Sequence, residues 1–397
     1  MKIAIFSDNF YPEISGISDS IVLLAKNLAE LGHEVHFFAA AYSASDYAKA
    51  NLPNKELEIN EKIKFHRFWS LPFFGSPTGQ SRIVLPFGLR LLKYKKENFD
   101  IVYTQSPYGM GIEALLMSRM FGIPLVGTNH TPIVEFTSYL PISNIFFDWL
   151  GLKFVCWYYN WCKFVSAPYE KILKEMKDYG FDRDSAEISN PIDLQNFSVP
   201  TLEQKKELKA RYLLGDNVVL YTGRLAKEKQ VDVIIAAMEK VVENIPDAML
   251  VITGIGSAQD DLKKLAKKLK IKNSVKFFGR VDDKAHVELY QAADVFAVMS
   301  VAETQCISMM KAMSVGIPSV AADAWALPNY LGRDEKKGFV VPIGEALALA
   351  DKIEVLLQNR ELASNMGCEG SRYVQDFSAS NIAEKWQDIF EKFSKRN

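Results

Sequence analysis

The sequence predicts an α/β protein made of two doubly wound, Rossmann-like domains. Short apolar runs such as Ile3–Phe6 alternate with segments such as Ile21–Leu31, in which apolar residues recur at helical spacing. Continuous apolar runs are typical of strands buried on both faces of a parallel sheet. The alternation occurs in two successive sets, and 397 residues exceed one ordinary core. Two α/β domains follow from these observations.

The composition narrows the class of protein. The apolar fraction of 48% and the charged fraction of 24% are normal for a soluble globular protein. A formal net charge of −1 argues against general nucleic-acid binding, which usually needs a basic surface. The 4 cysteines show no CxxC pairing, so we expect neither a zinc site nor a disulfide framework. This cysteine usage suits a reducing cytoplasm.

No membrane-crossing segment is expected. The chain starts directly with a strand and lacks the apolar core of a signal peptide. The most apolar region, Phe136–Phe164, is interrupted by charged residues, whereas a spanning helix needs about 18 or more apolar residues. Any membrane contact must therefore be peripheral.

The first domain is predicted to span residues 1–199. Strand Ile3–Phe6, a loop with Gly16, a helix stopped by Gly32 and strand Val35–Ala40 form a βαβ unit. The same order continues with strands Ile63–Phe68, Ile101–Gln105, Pro124–Thr128, Phe164–Ala167 and Ser185–Asn190, and with a helix at Gly109–Phe121.

The second domain is predicted to span residues 200–376, because the charged run Thr201–Lys209 reads as a linker entering a helix. A C-terminal helix in residues 377–397 is expected to cross back to the first domain. The predicted strands are Asn217–Thr222, Ala248–Thr253, Val275–Phe278 and Asp294–Met299, and the predicted helices include Val231–Asn244, Asp260–Leu269, Lys284–Ala292, Ala346–Asn359, Glu361–Val374 and Ala379–Phe393.

Val298–Ala322 is the stretch with the clearest binding potential. It reads as a loop with Glu303, a largely buried helix at Cys306–Val315 and a new strand after Gly316-Ile317-Pro318. The free N–H groups and the dipole of a buried helix favour an anion, typically a phosphate, at its N-terminus. The alternative is an ordinary strand–loop–helix unit with a surface glutamate.

Other candidate residues follow predicted strands, where doubly wound sheets bind ligands. Arg224 and Lys229, in TGRLAKEK, could neutralise a diphosphate, or they could belong to a solvated basic loop. His130 is either a structural hydrogen-bonding residue or part of an active site. Gly16 is either a turn residue or a site of close backbone approach to a phosphate. The first loop lacks GxGxxG, so no nicotinamide-dinucleotide site is expected.

These motifs carry a family resemblance. GRLAKEK, TGIGSAQDDL, FFGRV and VMSVAETQC followed by VGIPSVA resemble the retaining nucleotide-sugar glycosyltransferases of the GT-B fold, in glycosyltransferase family four. The segments SDNFYPEISGISDSI and HTPIVEFTSY are most similar to the branch that glycosylates membrane lipids, such as diacylglycerol glucosyltransferases and related mannosyltransferases. The resemblance implies two domains facing across a cleft, with the acceptor on the first and the donor on the second, and no metal or cofactor.

The resemblance also implies roles for individual residues. His130 would contact the donor sugar, Arg224 and Lys229 would bind the diphosphate, and Glu303, the first acid of an E-x7-E motif, would hold sugar hydroxyls. These four are the expected catalytic residues. The expected donor-binding residues are Gly16 beside the phosphates, Gly223, Gly254, the turn Thr304, Gln305, Cys306 and Ile307, Lys311, and Gly279 with Arg280 near the nucleobase.

Three positions depart from the family pattern. Lys311 replaces the second acid of E-x7-E, which normally holds the ribose hydroxyls, and a lysine offers no acceptor for them. Cys306 replaces a common glycine, and Trp325 brings bulk into a turn that is usually small. The departures allow an unusual donor, a weak enzyme or a non-catalytic sugar-nucleotide-binding scaffold. An active enzyme is preferred because the four expected catalytic residues are present.

Two stretches of the first domain could meet a membrane. Leu71–Lys96 carries the cations Arg90, Lys93, Lys95 and Lys96, which suit anionic headgroups or form a solvated basic face. Pro141–Phe164 has an interfacial composition, although its aromatic residues could equally pack inside the protein. These aromatic residues are Phe146, Phe147, Trp149, Trp157, Tyr158, Tyr159 and Trp161.

The sequence thus predicts a retaining hexosyltransferase that moves a sugar from a UDP- or GDP-sugar to a membrane lipid or lipid-linked glycan. A soluble sugar acceptor is the alternative. The expected location is the cytoplasm, with peripheral association with the inner face of the cytoplasmic membrane as a further option.

Overall fold

The computed structural model describes residues 1–13, 15–49, 52–73, 81–130 and 145–394, with the backbone only for residues 145–148. The segment 131–144, with most of HTPIVEFTSY, lies outside the described residues, and so do the side chains of Phe146 and Phe147. Contacts divide the chain into two compact units. Unit 1 comprises Met1–Pro191 and the C-terminal segment from Ala379, and unit 2 comprises Ile192–Ser378.

Unit 1 is built on a parallel sheet in the strand order β3-β2-β1-β6-β7-β8-β9. Ile3 lies opposite Val35 on one side and Ile101 on the other, and all three are fully buried. Burial on both faces explains the continuous apolar runs. The strands of unit 1 are β1 (Lys2–Ser7), β2 (Glu34–Ala40), β3 (Ile63–Phe68), the hairpin strands β4 (Leu71–Pro72) and β5 (Arg82–Ile83), β6 (Ile101–Thr104), β7 (Leu125–Thr128), β8 (Phe164–Ala167) and β9 (Asp184–Glu187).

The helices of unit 1 cover both faces of this sheet. Its helices up to β9 are α1 (Gly16–Glu30), α2 (Ala44–Lys49), α3 (Gly109–Phe121), α4 (Ile145–Tyr159) and α5 (Glu170–Asp178), with a 3-10 helix at Gly88–Glu97. Side chains from the 3-10 helix, α3, α4 and α5 form one apolar cluster with the sheet. Helix α1 contributes to a second cluster.

Unit 2 has a second parallel sheet, in the order β12-β11-β10-β13-β14-β15. Its strands are β10 (Asn217–Thr222), β11 (Ala248–Thr253), β12 (Val275–Gly279), β13 (Val295–Val298), β14 (Ser319–Ala322) and β15 (Gly338–Val341). Its helices are α6 (Leu202–Arg211), α7 (Val231–Asn244), α8 (Gln259–Lys268), α9 (Asp283–Ala292), α10 (Ile307–Ser314), α11 (Leu327–Leu331), α12 (Ala346–Gln358) and α13 (Arg360–Tyr373), with 3-10 helices at Lys227–Lys229, Lys272–Ser274 and Val374–Phe377. The two Rossmann-like units confirm the predicted fold class.

The last helix, α14 (Ala379–Phe393), belongs to unit 1. Its apolar face packs with α1, and the ring of Trp386 lies 4.4 Å from that of Tyr103. Ile192 and Ser378, where the chain enters and leaves unit 2, form a parallel β-bridge with each other. Within the described part of the chain, no helix combines the length and apolar character that crossing a bilayer requires.

The aromatic stretch of α4 separates into two populations. Tyr158 and Tyr159 are fully buried, and their hydroxyls donate to the backbone oxygens of Gly111 and Thr128 at 2.7 Å. Trp149 and Trp157 remain about half exposed. The interfacial interpretation is therefore wrong for the two tyrosines, because the fold uses their hydroxyls to satisfy buried backbone groups.

Candidate active site

Three glycines lie at the carboxyl edge of the unit 2 sheet, where β10, β11 and β12 end. The amide of Gly223 donates to Thr253, and the amide of Gly254 donates to the carbonyl of Gly279 at 2.7 Å. A Cβ on Gly254, which has a φ of +116°, would lie 1.9 Å from the carbonyl oxygen of Gly223. Gly254 is thus required by the packing of the strand ends, whatever ligand they bind.

Lys229 and Glu303 form an ion pair at the same edge of unit 2. Lys229 Nζ lies 2.7 Å from Glu303 Oε1, and the two side chains are 16% and 17% exposed. Burial alone would lower the pKa of Lys229, but the charge and hydrogen bond of Glu303 outweigh it and raise this pKa above its ordinary value. Lys229 is therefore a fixed ammonium group held by a carboxylate.

Arg224 is held in a similar way on the loop after β10. Its Nη2 donates to Glu228 Oε1 at 2.7 Å, while the Arg224 carbonyl accepts from Tyr221. The backbone oxygen of Glu228 accepts from Val301 at 3.0 Å, which ties this loop to the segment containing Glu303. The structure thus groups the two predicted cations and the predicted acid within unit 2.

The segment after Glu303 leads into α10. Cys306, the N-cap residue of α10, has a φ of +58°, so its backbone adopts the left-handed conformation that favours glycine. This left-handed conformation explains why a glycine is common at this position in the family that the sequence resembles. Burial raises the pKa of the Cys306 thiol to about 12, and the thiol stays neutral. Between Thr304 and Ile307, Gln305 is buried and donates to Met310 Sδ.

Lys311 lies on α10 beside aromatic residues of unit 2. Its Nζ is 4.9 Å from the ring centre of Phe197. Burial and the charge of Lys311 together lower the pKa of His286 to about 4, and His286 Nε2 lies 3.3 Å from Thr222 Oγ1 at the end of β10. Lys311 therefore lies near His286, whose ring contacts the strand end next to Gly223. Arg280, directly after Gly279, is exposed.

His130 is buried in unit 1, at the carboxyl end of β7. Its Nε2 lies 2.7 Å from Oε1 of Gln105, which follows β6. With the Gln105 amide in this orientation, His130 Nε2 is the donor of the contact, because an amide oxygen only accepts hydrogen bonds. Burial lowers the pKa of His130 to about 4, so the ring is neutral near pH 7. Both residues border a cavity of about 10 Å³ that Ser20, Asn190 and Trp386 also line.

Gly16 is the first residue of α1, directly after the N-cap Ser15, whose hydroxyl accepts from the amide of Ser18 at 3.1 Å. Nearby, the buried Glu13 accepts from Tyr42 and Ser81.

The sequence analysis did not identify Asp8, Glu13 and Gln105 as candidate residues, although they are polar and lie near the ends of strands. Asp8 accepts from the amide of Met110 and from Ser106. A search for polar residues just after each strand, as applied to His130, could have found Asp8 and Gln105.

One group of residues in unit 1 has the chemistry of a metal site. The ligand atoms of Glu34, His36 and Glu97 lie within 4.8 Å of one another. Lys2 already binds both carboxylates, and Lys64 Nζ lies 2.6 Å from Glu34. The group sits where β1 and β2 begin, at the opposite edge of the sheet from His130. Its charges are compensated by lysines, and it takes no part in the candidate active site.

Comparison with known protein families places both halves of the chain. Residues 204–372 match the model described as "Glycosyl transferases group 1". Residues 14–196 match the model described as "Glycosyltransferase Family 4". The two matches cover most of each unit, in the order expected from the sequence motifs.

Curated relatives extend over most of the chain. It is 26% identical over 394 residues to the alpha-monoglucosyldiacylglycerol synthase of Streptococcus pneumoniae, covering 98% of this chain and 85% of the relative. It is 30% identical over 305 residues to the phosphatidyl-myo-inositol mannosyltransferase of Mycobacterium leprae, covering 74% of each. Anabaena Alr3699/HepE, solved in complex with UDP-glucose, has the same fold, with a TM-score of 0.77, 18% identity, and coverage of 99% of this chain and 100% of that chain.

Proposed function

The chain belongs to the group 1 glycosyltransferases with a family 4 N-terminal domain, and on this premise we propose that it is a retaining enzyme. In this proposal it transfers a hexose from a nucleoside-diphosphate sugar to a membrane lipid or a lipid-linked glycan. The observation that carries the proposal is the Lys229–Glu303 pair at the carboxyl edge of the unit 2 sheet, where such sheets bind ligands.

The cations of unit 2 suit a departing diphosphate. When the bond between the anomeric carbon and the diphosphate breaks, negative charge grows on the leaving phosphate oxygens. Lys229 and Arg224, each held by a carboxylate, can stabilise this charge without large rearrangement. Because the pKa of Lys229 is raised, it acts as a fixed charge rather than as a proton donor.

Glu303 supplies the acceptor that a sugar requires. One of its oxygens binds Lys229, and a carboxylate has further lone pairs that can accept from sugar hydroxyls. The neutral His130 can exchange hydrogen bonds with an uncharged sugar. In the retaining reaction that we propose, the acceptor oxygen bonds to the anomeric carbon from the face that the diphosphate leaves, and the acceptor proton passes to the diphosphate.

A lipid acceptor is supported by the names of the relatives, which specify diacylglycerol and phosphatidylinositol. A UDP-sugar is the first donor to test, because the structural relative was solved with UDP-glucose. Lys311 favours one alternative, a non-catalytic binder of sugar nucleotides, since a lysine gives the ribose hydroxyls no acceptor.

A donor panel tests the proposal. We expect one UDP- or GDP-sugar to bind in calorimetry and to label a lipid extract, also when a metal chelator is present. Lys229→Ala should abolish transfer, while Lys227→Ala, which changes an exposed lysine two residues away, should not. Binding without transfer to lipid or soluble sugars would identify a non-catalytic binder, and undiminished transfer by Lys229→Ala would disprove the assigned role.

A further inference from the structure

One face of unit 1 carries an unusual number of exposed apolar side chains. They lie on and beside the 3-10 helix Gly88–Glu97, α3 and α4, and we call them the apolar band. Its members are Leu85, Phe87, Leu89, Leu92, Met120, Trp149, Leu150, Phe154, Trp157 and Trp161, each between 37% and 63% exposed. Single exposed apolar side chains are common on protein surfaces, whereas a contiguous patch of them is unusual.

Contacts between the three helices show that the band is continuous. Gly88 lies against α3, because an added Cβ would be 3.2 Å from Leu116 Cδ1 and 3.5 Å from Met120 Sδ. The guanidinium of the adjacent residue of α3, Arg119, lies 3.9 Å from the ring centre of Trp161, which follows α4. Phe154 stacks with Trp157 at 5.8 Å. Helix α3 therefore joins the other two helices.

The opposite face of the same sheet provides an internal comparison. Helices α1 and α14 pack there with equally apolar inner surfaces. Their exposed positions are nevertheless polar, apart from Leu31 at the end of α1. On α14 they are Ser380, Asn381, Glu384, Lys385, Asp388, Glu391 and Lys392. The exposed apolar surface is thus specific to one face and is not a general property of unit 1.

The charges of the band distinguish between possible occupants. Lys93, Lys95 and Lys96 are exposed, and none of them forms an ion pair within the part of the chain that the structure describes. Lys153, also exposed, lies 6.0 Å from the ring of Trp149. Protein–protein interfaces are depleted in lysine. Tryptophan and aliphatic side chains interleaved with lysine are instead the composition of surfaces that lie in the boundary of a bilayer and attract anionic lipids.

The fold also removes one cation from this surface. Arg90, on the same 3-10 helix, is tied at 2.5 Å to Glu113, which is completely buried. The basic character of the band therefore depends on Lys93, Lys95 and Lys96 and not on Arg90, although all four residues form one basic run in the sequence.

We propose that the apolar band is a docking surface for a bilayer that contains anionic lipids. The tryptophans and leucines insert at the level of the headgroups, and the lysines contact the lipid phosphates. The proposal deepens the proposed function, because it names the surface by which unit 1 reaches a lipid acceptor. Docking itself requires neither donor nor catalysis, so it is measured separately.

Flotation with vesicles tests the proposal. Wild-type protein should float with phosphatidylcholine vesicles that contain phosphatidylglycerol, less with phosphatidylcholine alone and less at high salt. The triple variant Lys93→Gln, Lys95→Gln, Lys96→Gln should bind the anionic vesicles about 100-fold more weakly, at about fivefold per lysine. The pair Trp157→Ser and Trp161→Ser should lower binding at least about tenfold.

Matched controls use the opposite face. Lys26→Gln and Leu31→Ser alter an exposed cation and an exposed leucine on α1, and both variants should float like the wild type. Far-ultraviolet circular dichroism and thermal midpoints verify that every variant is folded. The proposal is overturned if the wild type fails to float with anionic vesicles, if the band variants float as well as the wild type, or if the band instead drives dimerisation in light scattering without lipid. A protein that floats but transfers no sugar would contradict the proposed function alone.

Discussion

Replacing Lys229 by methionine tests whether the ion pair with Glu303 serves binding, stability or both. The substitution keeps most of the side-chain volume and removes the charge. It leaves the Glu303 carboxylate, whose side chain is 17% exposed, without its 2.7 Å partner. The substitution Glu303→Gln removes the other charge of the pair and leaves the Lys229 ammonium without a carboxylate.

The expected magnitude follows from the geometry. Two unit charges 2.7 Å apart attract by about 6 kcal/mol at an effective dielectric constant of about 20. Desolvation offsets most of this attraction, and a charged hydrogen bond retains about 1.5–3 kcal/mol. Removing one partner of a buried pair costs about 3–5 kcal/mol, because the other charge is left buried. Since this pair is partly exposed, we expect each single variant to lose about 3 kcal/mol of the free energy of unfolding.

Urea denaturation and transfer assays separate the two roles. The double variant Lys229→Met, Glu303→Leu should lose less stability than the sum of the single variants, because no charge is left without a partner. Its transfer activity should stay at least about 100-fold below wild type, since the leaving phosphate has lost a cation. Lys227→Met, at an exposed position, should change neither quantity. Additive losses of stability, or single variants within about 0.5 kcal/mol of wild type, would refute the reasoning.

Three further predictions concern pH, backbone packing and the core of unit 1. The folded-state pKa of His130, about 4, lies below its unfolded value of about 6.5. The folded state therefore binds fewer protons than the unfolded state, and the free energy of unfolding should fall by about 2 kcal/mol as the pH falls from 7 to 5. Urea titrations of the wild type and of His130→Asn test this, because the free energy of unfolding of the variant should depend less on pH. Gly254→Ala should destabilise the protein by more than about 3 kcal/mol because of the Cβ clash, whereas Gly279→Ala, with open space around its Cβ, should cost about 1 kcal/mol; equal thermal midpoints would contradict this. Glu113→Ala leaves Arg90 without its buried partner and should cost about 3 kcal/mol in urea denaturation, while Glu30→Ala at an exposed position should be neutral.

Local patterns were sufficient to predict most of the fold. Strands such as Ile3–Phe6 are buried on both faces, and α14 runs from Ala379 to Phe393 as its apolar spacing indicates. Helix α5 and strand β15 are among the elements that the local patterns did not predict, as are helices α2, α4 and α11. Helix α5 follows the short connection after β8, and Gly338–Val341 contains only a brief apolar run. Helix α5 packs on β8 and β9, and β15 pairs with β14, and the short local patterns do not reveal these tertiary contacts.

The candidate site was predictable residue by residue but not pair by pair. Position after a strand indicated Arg224, Lys229 and Glu303, yet no local pattern shows that Lys229 binds Glu303, 74 residues away. The same limit applies to the aromatic residues of α4. Composition does not distinguish Tyr158 from Trp157, whereas the structure packs Tyr158 in the core of unit 1 and gives its hydroxyl hydrogen-bond partners in Gly111 and Thr104.

The position of α14 has a consequence for synthesis of the chain on the ribosome. Trp386 and Phe390 complete the core beneath α1, but they are translated after all of unit 2. Unit 2, continuous from Ile192 to Ser378, can therefore finish folding first. Until the last helix has emerged, the face of the unit 1 sheet around Tyr103 and Phe164, beside α1, lacks its cover. A fragment ending at Pro191 would keep that face exposed permanently, so unit 1 is best expressed with α14 joined to it by a short linker.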